Sequence, residues 1–483
     1  MHIQGVLFIH SFTKAADSTF LSMTTGGMDK ESLIREIIGE LKRGRNVVFV
    51  AHTGWGKTRM AFEVAAILAR EGHKMAMFFP TATLAMKKWR ELVSIIQGTV
   101  LQPSAILTVG AQQYCIYRWQ YPQKHCRRCV LYRPQRIEAP SILTYSELEN
   151  IVPEDACGYW IQEELFPQYN IVLGHYGRAI KISPHVDYII WDEAQELFIP
   201  SLRSVALSEI AEVLNVDTSE LTDVNAIKEY AEAKLIDAEP IKEDVIYSLL
   251  QMLRLTCWIE DGALHCLELR QFPSNIPSLM LTATPPPGWP PEGWGRKIEI
   301  RPQMKPKALI EKEIDFFYKD GYQGLGLYLY MLIKWAKQKG AKCIIIFAIS
   351  SARRVIEWNL PFQVSYEPPE SAEQIPPSGV VVADAWGKMR VGVDIAWCDF
   401  AVVLWPSLHV VARRRMKAEG RNPDVAELLL SVQLSGRIMR PRPGERPEDV
   451  PRRRLVALVG RRFWQHREYL SQHFEIEEMP AEL

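Results

Sequence analysis

The segment running from Asn46 through Ala69 constrains this chain most. An apolar run, Asn46 to Ala51, leads directly into Ala51-His52-Thr53-Gly54-Trp55-Gly56-Lys57-Thr58, and a helix-forming stretch follows at once. A buried strand that turns through glycines straight into a helix is the context a phosphate-binding loop needs. Backbone N–H groups and the helix N-terminus would cradle the phosphates, Lys57 would neutralise them, and the Thr58 hydroxyl would ligate Mg²⁺. The competing reading is a chance glycine-rich turn. Only the first glycine of the usual pattern is changed, to Ala51.

Alternating elements surround this loop. A helix capped by Asp29 precedes it, with Leu33, Ile34, Ile37, Ile38 and Leu41 on one side and Gly44 as its stop; a strand over Met75 to Phe79 and a helix from Leu84 to Ile96 follow it. A second alternating region begins near Arg301, with a helix from Leu325 to Lys337 and strands at Lys342 to Phe347, Val380 to Ala383 and Phe400 to Leu404. Such alternation predicts an α/β chain with two parallel sheets, each covered on both faces.

Two further constellations carry chemistry. Asp187 to Trp191 reads as a buried strand ending in Asp192-Glu193-Ala194-Gln195. Carboxylates at the C-terminal edge of such a strand lie where α/β ligands bind; Asp192 suits the Mg²⁺ shell and Glu193 suits activation of a water. A short strand, Ser278 to Leu281, leads into Thr282-Ala283-Thr284-Pro285, whose hydroxyls could relay nucleotide state. Near the end, Gln433-Leu434-Ser435-Gly436-Arg437-Ile438-Met439-Arg440 reads as helical, placing Gln433, Arg437 and Arg440 on one face. Arg437 and Arg440 could stabilise a transferring phosphoryl group and Gln433 could position water or the γ-phosphate; a basic face in solvent is the alternative.

Composition adds limits. The formal charge of the 483 residues is zero, so no bulk positive field advertises a nucleic-acid partner. Charge is nevertheless segregated: Ala206 to Leu250 holds eleven acidic side chains against three basic ones, while Arg413 to Arg415 and Arg452 to Arg454 are basic runs. No apolar run approaches the roughly 20 residues a membrane span needs, and no signal peptide is recognisable, so a cytoplasmic protein is expected. Its eight cysteines are then read as thiols or ligands, with Cys257, Cys266, Cys343 and Cys398 as packing residues.

The remaining four are Cys115, Cys126, Cys129 and Cys157, one C-x-x-C pair with two outliers, all between the phosphate loop and the acidic pair. Thiolates in this number suit an iron–sulfur cluster and also zinc. Arg118, Lys124, Arg127, Arg128, Arg133 and Arg136 surround them, interleaved with Tyr114, Tyr117, Trp119, Tyr121 and Tyr132. That mixture can grip a single strand by phosphate neutralisation and base stacking; charged loops solvating a metal knuckle are the bland alternative.

In this order the motifs resemble those of superfamily 2 helicases, and in detail the XPD and DinG branch. The phosphate loop matches that branch's first motif, and Asp192-Glu193-Ala194-Gln195 stands where it has a DEAH box. Gly387-Lys388-Met389-Arg390-Val391-Gly392-Val393-Asp394 matches its GKxxEGxDF segment, Gln433 to Arg440 its QxxGRxxR, and Arg462-Phe463 its closing pair. The chain departs at Gln195, where the family has histidine, and at Val391, where it has glutamate. Its only glutamine ahead of the loop is Gln4, outside any adenine-contact position.

The resemblance implies ATP, Mg²⁺ and a [4Fe–4S] cluster on the four cysteines. It also implies two RecA-like motor domains and an iron–sulfur module; because the interval from Gln195 to Thr282 is shorter than the family's arch-bearing insertion, a reduced arch-like insertion, acidic and helical, is expected. The expected boundaries are 1–28 for a leader without packed structure, 29–110 with 161–200 and 270–300 for the first motor domain, 111–160 for the cysteine module, 201–269 for the insertion and 301–483 for the second motor domain. The implied activity is ATP-dependent, 5′-to-3′ DNA unwinding on single-stranded and forked DNA, with RNA left open as a substrate; a monomer is expected. Two alternatives stand beside it: a single-strand translocase that remodels complexes without separating strands, and a metal-dependent nucleic-acid-binding scaffold with a vestigial ATPase.

Overall fold

The computed structural model describes residues 23–24, 29–52, 55–97, 102–110, 139–144, 147, 150–152, 156–236, 240–269, 275–291, 293–300, 305–316, 322–360, 364–366, 379–387, 395, 397–439, 445 and 449–480. Two parallel sheets dominate. The first is built from β1 (Met23–Thr24), β2 (Asn46–Ala51), β3 (Met75–Phe79), β4 (Ala105–Leu107), β5 (Ile142–Leu143), β6 (Ile171–His175) and β7 (Tyr188–Trp191). An antiparallel trio follows in the chain, β8 (Ser201–Ala206), β9 (Thr256–Glu260) and β10 (Ala263–Glu268); then β11 (Ser278–Thr282) and β12 (Gly295–Ile300) complete the first sheet. Its order is β1-β12-β2-β11-β7-β3-β6-β4-β5. The second sheet takes β13 (Lys307–Ile310), β14 (Cys343–Ala348), β15 (Val364–Tyr366), β16 (Gly379–Asp384), β17 (Phe400–Leu404), β18 (Leu455–Val459) and β19 (Glu475–Glu478), in the order β15-β16-β14-β17-β18-β13-β19.

The central strands are continuous apolar runs because helices cover both faces of each sheet. β3, β11, β14 and β17 are buried at every residue. Helix Lys30–Lys42 starts as its sequence requires: the Asp29 carboxylate accepts the Ser32 amide at 2.8 Å, and Leu33, Ile37 and Leu41 enter the first core. β12 comes so close to β2 that a Cβ on Gly295 would lie 2.4 Å from the Asn46 carbonyl oxygen, which explains the glycine there.

The two halves share a join. Phe198 packs against both the first core and the second, and Ile199 is wholly buried in the second. Phe198 and Ile199 follow the 3₁₀ turn Ala194–Leu197 that comes after the acidic pair.

Several findings differ from the sequence expectations. The leader is not without structure throughout, since Met23 and Thr24 pair in parallel with Ile298 and Glu299. Ile142 and Leu143, expected in the cysteine module, extend the first sheet beside β4. The insertion is more than helical: helices Leu207–Leu214, Val224–Ile236 and Pro240–Met252 pack with the sheet β8-β10-β9. Cys257 and Cys266, read as packing thiols, are directly paired in the register of β9 and β10 and form a disulfide. Cys343 and Cys398 do lie in the second core. No helix among the described residues is long and apolar enough to cross a membrane.

Candidate nucleotide site

Strands β2, β11 and β7 are neighbours, and all three end at the same edge of the first sheet. That edge therefore collects the phosphate loop after Ala51, the Thr282 stretch and the carboxylates after Trp191. The C-terminal edge of a parallel sheet is the usual ligand crevice of such folds.

Gly56 closes the loop with φ +94°, a left-handed conformation suited to glycine, and helix Lys57–Arg70 begins at the next residue. Thr53 and Gly54 lie outside the described residues. Lys57 is buried, and its ammonium donates to the carbonyls of Ala51 at 2.8 Å and His52 at 3.2 Å. Phosphate oxygens would replace these carbonyls as acceptors. Burial, and then the Lys57 charge, hold the His52 imidazole below its ordinary pKa.

Thr58 Oγ1 donates to Asp192 Oδ2 at 3.1 Å, joining the loop to the acidic pair. Burial, then repulsion from Glu193, pushes the Asp192 carboxyl up to about 6, against the pull of Lys57 and the Thr58 hydroxyl. A hydroxyl and a buried carboxylate raised in pKa suit a divalent cation: both are hard oxygen donors, and the cation would supply the missing positive charge. Thr58 and Asp192 thus fit Mg²⁺.

Glu193 adopts φ 53° and ψ 48°, a left-handed conformation costly for a residue with a Cβ. Its backbone is held by the Tyr176 hydroxyl, which donates to the carbonyls of Asp192 and of Glu193, the latter at 3.0 Å. Its side chain is held by Gln195, whose Nε2 donates to Glu193 Oε2 at 2.6 Å. Thr282 Oγ1 in turn donates to Gln195 Oε1 at 2.7 Å and accepts the Thr284 amide at 3.0 Å. The glutamine that departs from the family pattern is therefore a bridge between the acidic pair and the threonine stretch.

From the second domain, Gln433 Nε2 donates to Glu196 Oε1 at 2.6 Å. The helical face expected for Gln433, Arg437 and Arg440 is corrected: the helix ends at Ser435 and a 3₁₀ turn, Gly436–Ile438, carries the buried Arg437, whose carbonyl accepts the Ile395 amide. Arg440 and residues 388–394 lie outside the described residues.

Of the four candidate cluster ligands, Cys115, Cys126 and Cys129 lie outside the described residues, as does the basic, aromatic strip around them. Cys157 is buried at the N-cap of helix Gly158–Leu165, where the positive end of the helix dipole favours a thiolate, the form that ligates metals. Among the described residues no group of three or more His, Cys, Asp or Glu side chains is assembled to hold a metal.

Sequence reasoning missed Tyr176 and Glu196. Tyr176 follows the buried strand β6 at the same sheet edge, a position that marks any polar residue as a candidate; Glu196 is wholly buried just after the acidic pair and carried no local sign of its partner.

The DEAD/DEAH box helicase model matches residues 32–154. Among solved structures, an XPD helicase superposes with a TM-score of 0.63 at 14% identity over 93% of this chain and 99% of that one. S. tokodaii Xpd4 gives 0.54 at 13% identity, with coverage of 93% and 99%. No curated protein sequence matches the chain. Residues 32–154 thus match the DEAD/DEAH box helicase model, and the chain shares the two-sheet α/β fold of the solved XPD helicases.

Proposed function

We propose that the chain is an ATP-driven DNA helicase that moves 5′ to 3′ along a single strand and separates duplex ahead of it. The observation that carries this reading is the convergence of Lys57, Thr58, Asp192 and Glu193 on neighbouring strand ends, with Gln433 of the second domain bonded to the turn that bears the carboxylates.

Lys57 exchanges its two carbonyl partners for phosphate oxygens when ATP enters. Thr58 and Asp192 would hold Mg²⁺, which would supply positive charge to the phosphates. Glu193, fixed in direction by Gln195, accepts the proton of the attacking water, and Arg437 and Arg440 offset the negative charge that grows on the phosphoryl group. Closure and reopening of the two domains around the nucleotide would move the strand. Cys115, Cys126, Cys129 and Cys157 are proposed to hold a [4Fe–4S] cluster; the position of Cys157 at a helix N-terminus supports its part. The strip of arginines, lysine and aromatics around them would grip the strand.

Unwinding of forked and 5′- or 3′-tailed duplexes by anaerobically purified protein, with ATPase measured in parallel and iron, sulfide and zinc determined, tests each element. Strand-stimulated hydrolysis with unwinding from a 5′ tail is expected. Hydrolysis and movement without unwinding would replace the helicase with a translocase, and absence of hydrolysis would leave a binding scaffold.

A further inference from the structure

Helix Arg467–Leu470 contains none of the residues given a role above, yet it reaches the first domain beside the nucleotide site. Tyr469 is buried, and its hydroxyl donates to the Pro285 carbonyl at 2.9 Å across 184 positions of sequence. Pro285 closes the stretch Thr282-Ala283-Thr284-Pro285. Within it the Thr284 amide donates to Thr282, Thr282 donates to Gln195, and Gln195 donates to Glu193. Tyr469 thus lies at the far end of the hydrogen-bonded path that fixes the carboxylate, with a single backbone step between Thr284 and Pro285.

The tyrosine is well held on its own side. Its ring belongs to the second core and meets the His473 ring edge-on at 5.0 Å, and His473 meets Phe474. Burial raises the phenol's pKa, so it stays a neutral donor. A hydroxyl on a carbonyl of another domain is sensitive to sub-ångström separation, because a hydrogen bond weakens steeply with distance and angle.

We propose that Tyr469 is a positioning residue of the motor, tying the Thr282–Pro285 stretch to the second domain so that the Gln195–Glu193 arrangement follows that domain's position. This deepens, and rests on, the ATP-hydrolysis reading. Hydrolysis is then coupled to domain position at a second point, separate from the Gln433–Glu196 contact.

The test is steady-state ATP hydrolysis by the full chain carrying Tyr469→Phe, which removes one hydroxyl and keeps the ring. A misplaced water-activating group should lower kcat about tenfold while KM for ATP stays within about twofold, because the phosphate loop is untouched. Replacement of Tyr469 by p-aminophenylalanine, which retains a donor, should restore kcat. Unchanged kcat in the Phe variant, or no restoration by the amino analogue, overturns the proposal. A wild-type chain that does not hydrolyse ATP sinks the ATPase reading and this proposal together, whereas active wild type with a normal Phe variant sinks the proposal alone. One measurement needs no variant: hydrogen exchange of wild-type protein with and without a non-hydrolysable ATP analogue. Protection of residues 282–284 and 467–470 should change together, and a change confined to either segment overturns the coupling.

Discussion

Gln433 Nε2 and Glu196 Oε1 are 2.6 Å apart, a hydrogen bond between the two α/β halves that joins residues 237 positions apart in sequence. Glu196 is fully buried, so its carboxylate depends on protein donors. Taking a donor from a buried acceptor costs about 1–3 kcal/mol. Gln433→Leu should therefore lower the thermal midpoint and slow ATP hydrolysis, whereas Gln433→Glu, which sets a second carboxylate beside Glu196, should be better tolerated at pH 5 than at pH 8. Calorimetry at the two pH values checks both; equal behaviour of the Glu variant would count against the contact.

Turnover should separate from binding along the lines of charge. Lys57→Ala removes the cation that meets the phosphates and should abolish ATP binding together with hydrolysis. Glu193→Gln keeps the shape of the site but loses the proton acceptor, and a loss of roughly 10²–10⁴-fold in kcat with retained binding is expected. Arg437→Ala should resemble Glu193→Gln, because its charge is needed mainly in the transition state. Nucleotide titration beside a phosphate-release assay separates the cases, and an Arg437 variant that weakens only strand binding would place that arginine on the nucleic acid.

Glu193 is held in a left-handed conformation, φ 53°. Alanine there keeps the steric cost of the Cβ and glycine does not, so Glu193→Gly should be more stable than Glu193→Ala by about 1 kcal/mol, while both should lose ATP hydrolysis. Denaturation of the two variants in parallel decides it; equal stability would mean that the turn carries no strain.

His473 gives a pH signature. Burial depresses its imidazole from 6.5 to about 4, opposed by Glu299 and assisted by Lys305 and Lys297. Between those values the unfolded chain binds a proton that the folded protein refuses, so stability rises with pH through this window and is lost as pH falls from about 6.5 towards 4. His473→Phe should flatten that dependence. Thermal midpoints from pH 4 to 7 for both proteins provide the check, with identical slopes as the contrary result.

The legible part of the molecule is that in which neighbours in sequence are also neighbours in chemistry. The loop Ala51 to Thr58 is recognisable because strand, glycines, lysine and helix follow one another without interruption, and Asp192-Glu193 because an apolar strand delivers it. The antiparallel hairpin of β9 and β10 was not legible: its burial alternates weakly among acidic helices, and a disulfide depends on strand register that no local pattern reveals. The continuous helical reading from Gln433 onward failed because the helix gives way to a 3₁₀ turn over Gly436–Ile438, a change of pitch that residue spacing does not announce.

What the amino-acid sequence determined by itself is the pair of parallel sheets and the strand ends at which the glycine–lysine loop and the acidic pair stand, because continuous apolar strands and loop chemistry are short-range properties. What only the tertiary structure decided is how those residues are held. Gln195 finds Thr282 across 87 positions, Tyr469 finds Pro285 across 184 and Gln433 finds Glu196 across 237. Each bond joins side chains or carbonyls whose partners are set by strand order and domain contact. A hydrogen bond is specified by placement within a fraction of an ångström, and placement over such separations exists only once both cores have packed.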